Sequence, residues 1–421
     1  QYASTDNPKE NKQAAAEYEL DGEQVGQTQT YNKVVSQMYV APERKAGFDA
    51  YQRATWEQLE YEQKINEDAA VRSVGLVVET RPDNISVAEV RRIRRLGCTK
   101  TQIGVQSLQD SVLDKNNRGH NVEATRTAFK LLRQAGFKIH AHWMANLYGS
   151  SVELDKKDYD LLFSDPDFKP DELKIYPCSL ISSAELMQYY KDGRWKPYMH
   201  EELLEVVTHA LSVTPPYCRL TRVIRDIPST DIVTGNKLTN FRQIAQDDLK
   251  KKGIDIHDIR AREIRAEKIE ADELKFEVYE YETSVSKEYF LQYVSNQEDT
   301  NDASKLVGFL RLSLPTGEAY EQPVIDELLH AAIIREIHVY GPTVKVGVTD
   351  KDKSQHFGIG TALIAQAQKL VQAENDERGK RLYEKIAVIS AIGTKGYYRS
   401  RGFTDGKLYQ FLSISNLSRV N

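Results

Sequence analysis

Cysteine is scarce: there are three in 421 residues, Cys98, Cys178 and Cys218, far apart in the chain. A disulfide scaffold is excluded, and no C-x-x-C pair is present. Long apolar runs are missing as well. No stretch approaches the roughly 20 apolar residues that a membrane-spanning helix needs, so no membrane partner is expected. The opening Gln1-Tyr2-Ala3-Ser4 has neither Met nor a basic-then-apolar leader pattern, and the expected location is the cytoplasm. An excess of positive charge is also absent: 57 Lys and Arg stand against 62 Asp and Glu, a net charge of -5. That argues against a globally basic nucleic-acid binder and leaves room for a local basic patch.

What is present is a soluble composition, 40% hydrophobic, long enough for two or three domains at roughly 150 residues each. Residues 1–70 are polar and carry no specific chemistry; 55–70 reads as helical. From about residue 72 short β-rich runs alternate with amphipathic helical segments. Strands are expected at 74–80, 101–106, 137–144, 173–176 and 219–224, and helices at 87–96, 123–134, 155–163, 184–191 and 201–212. The first strand, Val74-Gly75-Leu76-Val77-Val78-Glu79-Thr80, reads as buried. This rhythm implies a parallel sheet with right-handed crossovers, open or closed into a barrel. Residues 226–272 read as a connector with a helix at 240–252. From 273 the pattern is strand-rich (275–283, 288–294, 306–314, 333–346), followed by a helix at 360–373 and a strand at 386–390, a separate α+β domain.

The sharpest local signal is Gln355-His356-Phe357-Gly358-Ile359-Gly360-Thr361, between a strand and a helix. Glycines there let the backbone approach a phosphate, and the helix start offers free N–H groups. The spacing is neither the dinucleotide nor the P-loop fingerprint, and a glycine pair alone is more often a tight turn. Its neighbours add weight. The strand Glu336-Ile337-His338-Val339-Tyr340 precedes it, and Lys385-Ile386-Ala387-Val388-Ile389-Ser390 and Gly396-Tyr397-Tyr398-Arg399-Ser400-Arg401-Gly402-Phe403 follow. This order resembles the GNAT acetyltransferases. The resemblance implies acetyl-CoA held by Ile337, His338 and Val339 on the strand and by Gln355, Phe357, Gly358, Ile359, Gly360 and Thr361 on the loop. It also implies Tyr397 or Tyr398 as general acid near the CoA sulfur; the plain alternative is two core aromatics.

Polar residues also recur at the strand ends of the first half: Glu79-Thr80-Arg81-Pro82-Asp83, Gly104-Val105-Gln106-Ser107, His140-Ala141-His142-Trp143-Met144 and Lys174-Ile175-Tyr176-Pro177. In parallel β/α folds sites are built at those ends. With Asn117-Arg118-Gly119-His120, Arg222-Val223-Ile224-Arg225-Asp226-Ile227-Pro228 and the glycine loop, these segments resemble the catalytic-subunit family of Elongator from about residue 55 to the end. The resemblance implies an α/β architecture: a radical-SAM-type (β/α) partial barrel over 1–225, a basic connector over 226–272 and an α+β GNAT domain over 273–421. It further implies a tRNA-binding enzyme that uses acetyl-CoA, S-adenosylmethionine and a four-iron four-sulfur cluster to modify carbon 5 of wobble uridine, giving a carboxymethyl-type product. Glu79 and Gln106 would bind cofactor and Lys174 would take part in catalysis. Other Elongator-type subunits or self-association are implied partners.

Residues 216–268 hold 12 Lys or Arg against 8 Asp or Glu, a locally basic stretch in an acidic chain. Arg222, Arg225, Arg260 and Arg262 are the expected tRNA contacts; a solvated face is the bland reading, adopted for Lys250-Lys251-Lys252. Two departures from the family stand out. Radical-SAM enzymes hold their cluster through three closely spaced thiolates, and none are so spaced here; Cys98, Cys178 and Cys218 read as structural. The favoured expectation is that the chain begins downstream of that motif, the alternative that the cluster is lost. Where several relatives carry zinc-binding cysteines, this chain has Ile256, Asp258 and Ala261, with His257 the one plausible ligand, so no metal site is expected. Two rival functions follow: a cluster-free tRNA-binding protein with tRNA-stimulated acetyl-CoA hydrolysis, or a protein lysine acetyltransferase.

Overall fold

The structure, a computed structural model, describes residues 53–224, 231–265, 273–295, 304–340, 358–377 and 382–414. The chain divides into two compact units. The smaller gathers Gln1–Tyr61, Ser179–Pro197 and Ile227–Lys237. Its described part is an antiparallel pair, β5 (Leu180–Ile181) with β7 (Ile232–Thr234), and a short helix, Leu186–Lys191.

The larger unit contains two sheets. The first is parallel, in the order β1 (Val77–Thr80), β2 (Lys100–Gln106), β3 (Lys138–Ala145), β4 (Glu172–Pro177) and β6 (Arg219–Val223). Helix α1 (Trp56–Asp68) precedes it; α2 (Val87–Arg95), α3 (Val122–Gln134), α4 (Val152–Ser164) and α5 (His200–Val213) provide the crossovers. The helix starts are set locally: Ser86, Asn121 and Ser151 each accept from a first-turn backbone N–H, leaving fewer orphan donors. In α3, Thr125, Ala128, Phe129 and Leu132 recur at helical spacing and are buried. They pack with one face of the strands: Ile103, Val105, Ile139, Ala141, Trp143, Leu173 and Ile175. The alternate positions of β2, β3 and β4 are polar, and they form the candidate site.

Strand β1 corrects an expectation. Its apolar run reads as buried, yet among the described strands β1 is the edge of this sheet, and Val74, Leu76 and Val77 are exposed. An unbroken apolar run marks burial on both faces only where both faces are covered.

The residues read as a connector are packed in their described part. Helix α6 (Phe241–Lys251) buries Phe241, Ala245 and Leu249, and these belong to the same core cluster as Leu203 and Val207 of α5. The short helix α7 (Ile259–Arg262) is capped by Asp258, whose carboxylate also accepts from Leu220 N at 3.2 Å and Arg242 Nη2 at 2.7 Å.

The second sheet runs β13 (Thr404–Asp405), β14 (Gln410–Ser413), β12 (Lys385–Val388), β11 (Ala331–Val339), β10 (Leu306–Pro315), β9 (Ser286–Ser295), β8 (Leu274–Glu282). Only β11 and β12 are parallel neighbours among its described strands. Every residue of β10 is buried. Helix α8 (Ile359–Glu377) covers one face with Leu363, Ala367 and Val371, one turn apart. Sequence periodicity anticipated α8 and the central strands. The predicted strand at 333–346 ends at Val339, and 341–357 lie outside the described residues.

Buried ion pairs join the two sheets. Asp171, just before β4, accepts from Arg335 of β11 through both oxygens, 2.7 Å each, and from the Ile139 N–H at 2.9 Å. Arg335 also meets Glu288 at 2.8 Å. Lys138 of β3 bridges Glu336 of β11 at 2.5 Å and Glu172 of β4 at 3.3 Å, and Lys100 also pairs with Glu172. Burial raises the pKa of Asp171, but Arg335 and Arg311 outweigh it and hold the carboxyl well below the usual range. Among the described residues, no helix is long and apolar enough to cross a membrane.

Candidate functional site

The first group of site residues lies where β11 and β12 part. They pair from Ala331 with Lys385 to Ile334 with Val388, and the Ile389 N–H still donates to Ile334 O at 3.2 Å. Beyond this β11 continues to Val339, paired among the described residues only with β10. The freed edge of β11, at Ile337, His338 and Val339, therefore has backbone groups without a β12 partner. Into this fork comes the start of α8. Gly358 has φ +90°, a conformation open to glycine at little cost. At Gly360 a Cβ would collide with the Tyr397 hydroxyl, so this ring lies directly over the first turn of α8.

A short helix, α9 (Lys395–Arg399), carries both tyrosines. They differ. Tyr397 is half-buried at the fork; Tyr398 is buried in the core, edge-on to Phe403 with ring centroids 5.4 Å apart. Burial pushes the Tyr397 phenol up, opposed by Arg401, whose guanidinium sits 3.5 Å from the ring centroid. Arg401 also donates to Tyr397 O at 2.8 Å and to Thr361 Oγ1 at 3.1 Å, clamping the tyrosine to α8. His338 is exposed and stacks on Phe309 at 5.8 Å. Gln355 and Phe357 lie outside the described residues.

The second group lines the polar face of the parallel sheet. Gln102 Oε1 accepts from Lys174 Nζ at 2.6 Å and lies 2.8 Å from His142 Nε2. His142 Nδ1 is 3.6 Å from Glu79. His140 Nε2 is 2.9 Å from Thr221 Oγ1, and burial holds this imidazole neutral. Burial also lowers the Lys174 pKa, helped by Arg222 and Lys100 and opposed by Glu79. At the end of β2, Gln106 has φ +67°, strained backbone for a residue with a side chain. Its Oε1, Arg118 Nε and His120 Nδ1 are all buried without a hydrogen-bond partner among the described residues. Orphaned polar atoms gathered at one strand end are costly unless a ligand satisfies them. Glu79, Gln106 and Lys174 are thus brought to one face. Gln102 and His120 were not singled out from sequence, although Lys100, Gln102 and Gln106 alternate in β2 with period two.

The expected RNA contacts part company. Arg222 is exposed at the end of β6, and Arg260 is half-buried with Nη1 on Thr221 O. Arg262 is buried, and its guanidinium is spent on Pro216 O and His257 O at 2.8 Å each and on Gln292 at 3.1 Å. It holds chain segments together and has no free face for a phosphate. Arg225 lies outside the described residues.

The chain is similar to known proteins over most of its length. The profile of the Radical SAM superfamily matches residues 46–153 and that of the Radical_SAM C-terminal domain residues 170–251. A "tRNA uridine(34) acetyltransferase" of Dehalococcoides mccartyi is 36% identical over 85% of this chain and 75% of its own length. The chain belongs to the Elongator catalytic-subunit family. "Elongator complex protein 3" of Homo sapiens is 34% identical over 81% of this chain and 60% of its own. The solved archaeal Methanocaldococcus infernus Elp3 with an N-terminal deletion superposes with a TM-score of 0.74 at 34% identity, covering 90% of this chain and 84% of that one. The chain spans 66% and 65% of the length of two further relatives with the first name.

For an Elongator-family chain, the thiols are the point of departure. Cys98 and Cys218 are fully buried and Cys178 is partly so. Burial pushes Cys98 up to about 11 and Cys178 up to about 12, and Cys218 also rises. They are neutral structural thiols. This donor set does not fit a cluster, and no step is derived through one. The described residues contain no group of three or more His, Cys, Asp or Glu able to hold a metal; Asp258 is committed to Arg242 and backbone N–H groups.

Proposed function

We propose that this chain is a tRNA-binding, acetyl-CoA-dependent enzyme of the Elongator family, directed at carbon 5 of wobble uridine and yielding a carboxymethyl-type base. The observation that carries it is the fork between β11 and β12, closed by the glycine turn of α8 with Tyr397 over Gly360. A pantetheine arm pairs with the free edge of β11, and the pyrophosphate meets the N–H groups at the start of α8. When water attacks the acetyl thioester, a carbon–oxygen bond forms, the carbon–sulfur bond breaks, and the leaving group is the CoA thiolate. Tyr397, kept protonated at neutral pH by burial, gives its hydroxyl proton to that sulfur. Tyr398 packs beneath and takes no part.

On this reading Glu79, Gln106, His120 and Lys174 on the polar face of the barrel would hold S-adenosylmethionine; reduced by one electron from an iron-sulfur cluster, that cofactor would supply the radical which side chains cannot. Gln102 fixes the Lys174 ammonium. Arg222 and Arg260 contact tRNA phosphates. The scattered thiols favour a second reading, tRNA-stimulated acetyl-CoA hydrolysis without the radical step.

The test compares CoA release from acetyl-CoA in the presence of tRNA and of a basic peptide. The proposal expects tRNA to stimulate and the peptide to leave the rate at background. A peptide that becomes acetylated, with no response to tRNA, would replace this reading with a protein acetyltransferase.

A further inference from the structure

Helix α1 is fastened in an unusual way. A surface helix normally docks through an apolar stripe. Among the described residues of α1, only Glu67 is buried, at 4% exposure. A buried carboxylate costs free energy unless it is paired and hydrogen-bonded. Here it is both. Glu67 Oε1 accepts from Lys395 Nζ at 3.0 Å, and Oε2 accepts from Arg399 Nη2 at 2.6 Å and Lys64 Nζ at 2.9 Å. Lys395 and Arg399 are the first and last residues of α9, the five-residue helix that carries Tyr397. Glu67 therefore grips both ends of that helix with one carboxylate.

The following residues strengthen the contact. Ser73 O accepts from the Gly393 N–H at 2.9 Å, and Ser73 N donates to Asn66 Oδ1 at 3.0 Å. A Cβ on Gly393 would come within 2.6 Å of Ser73 O, so glycine is needed for this approach. On its other side Tyr397 is held by Arg401 against the first turn of α8.

We infer that Glu67 is a positioning residue for acetyl transfer: a latch from the segment preceding the barrel that sets α9, and through it the Tyr397 hydroxyl, over the glycine turn of α8. The inference rests on the acetyl-CoA reading of the fork. It makes turnover at the fork depend on a residue more than 300 positions upstream (328 to Lys395, 332 to Arg399).

The experiment uses the full chain carrying Glu67→Gln or Glu67→Asp. CoA release from acetyl-CoA is followed with tRNA present, and CoA affinity is measured by calorimetry. A displaced general acid slows the chemical step and leaves ground-state binding alone. Glu67→Gln should lower kcat about tenfold with KM for acetyl-CoA and CoA affinity within about twofold, and Glu67→Asp should recover part of the loss. Wild-type kcat in a folded Glu67→Gln protein overturns the inference, as does a parallel loss of CoA affinity, which would mean general damage to the fork. If Glu67→Gln fails to fold, Lys395→Gln decides: a fall in kcat with unchanged KM supports the latch, and an unchanged kcat overturns it. Tyr397→Phe separates the two levels. A wild-type rate there removes the fork reading and the latch with it; a slow Tyr397→Phe beside a normal Glu67→Gln removes the latch alone.

Discussion

Tyr397 and Tyr398 are neighbours in sequence with opposite fates. Their motif leaves the choice between them open, because both fit the same pattern; burial separates them. Tyr397→Phe removes the hydroxyl over the α8 turn and should reduce acetyl-CoA turnover by about 100- to 10,000-fold, in line with the usual worth of a general acid. Tyr398→Phe should leave turnover within about twofold, and steady-state kinetics of the pair distinguishes them. The arginines divide in the same manner. Arg222 is exposed, so Arg222→Ala should weaken tRNA binding and reduce the salt slope of affinity by about one, checked by filter binding across salt concentrations. Arg262→Ala instead leaves three acceptors unmet, Gln292 Oε1 among them buried, and should lower stability by roughly 1.5–3 kcal/mol in denaturant melts. A run such as Arg260-Ala261-Arg262 does not reveal which guanidinium faces inward, since that depends on where Gln292 of β9 falls.

At the scale of elements, the sequence made the β/α rhythm, the long helix at the glycine loop and the strand-rich second half legible, because each rests on local periodicity. It did not reveal that β1 is an edge, that helix α6 packs on α5, or that β13 and β14 extend the second sheet; these follow from non-local pairing and from what covers each face. The placement of Glu79 and Gln106 at strand ends was legible from the strand rhythm, whereas Lys174 and Gln102, hydrogen-bonded to each other, both sit mid-strand and are brought together only by the pairing of the strands. Gly360 is the point where helix geometry and chemistry meet. Gly360→Ala places a methyl group where the Tyr397 hydroxyl lies. Acetyl-CoA turnover should therefore fall at least about tenfold while the far-UV spectrum and melting point stay close to wild type, because alanine is otherwise the better helix former.

At the scale of the molecule, the two sheets are joined by buried charge as well as by apolar packing. Asp171 and Arg335 are both fully buried and share two hydrogen bonds. Asp171→Asn removes one of the two carboxylates paired with Arg335, leaving Glu288 as its remaining charge partner, and should destabilise the chain by about 3 kcal/mol. The sign with pH is fixed by the lowered Asp171 pKa. In the window between its folded pKa and the unfolded value near 4, the unfolded chain binds the extra proton. The contribution is fully present above about pH 4 and is lost as pH falls below it. Acid titration by circular dichroism should show wild-type unfolding with a component below about pH 4 that Asp171→Asn lacks. The same network reaches β11, whose far end borders the fork, so one strand belongs both to the barrel contact and to the proposed acetyl-CoA site.

The measurement that bears most directly on the central claim is the release of free CoA from acetyl-CoA by the full chain, with and without tRNA. The account predicts slow release alone, strong stimulation by tRNA, and loss of that stimulation in Tyr397→Phe. Release that ignores tRNA, or that survives in Tyr397→Phe at the wild-type rate, would contradict it.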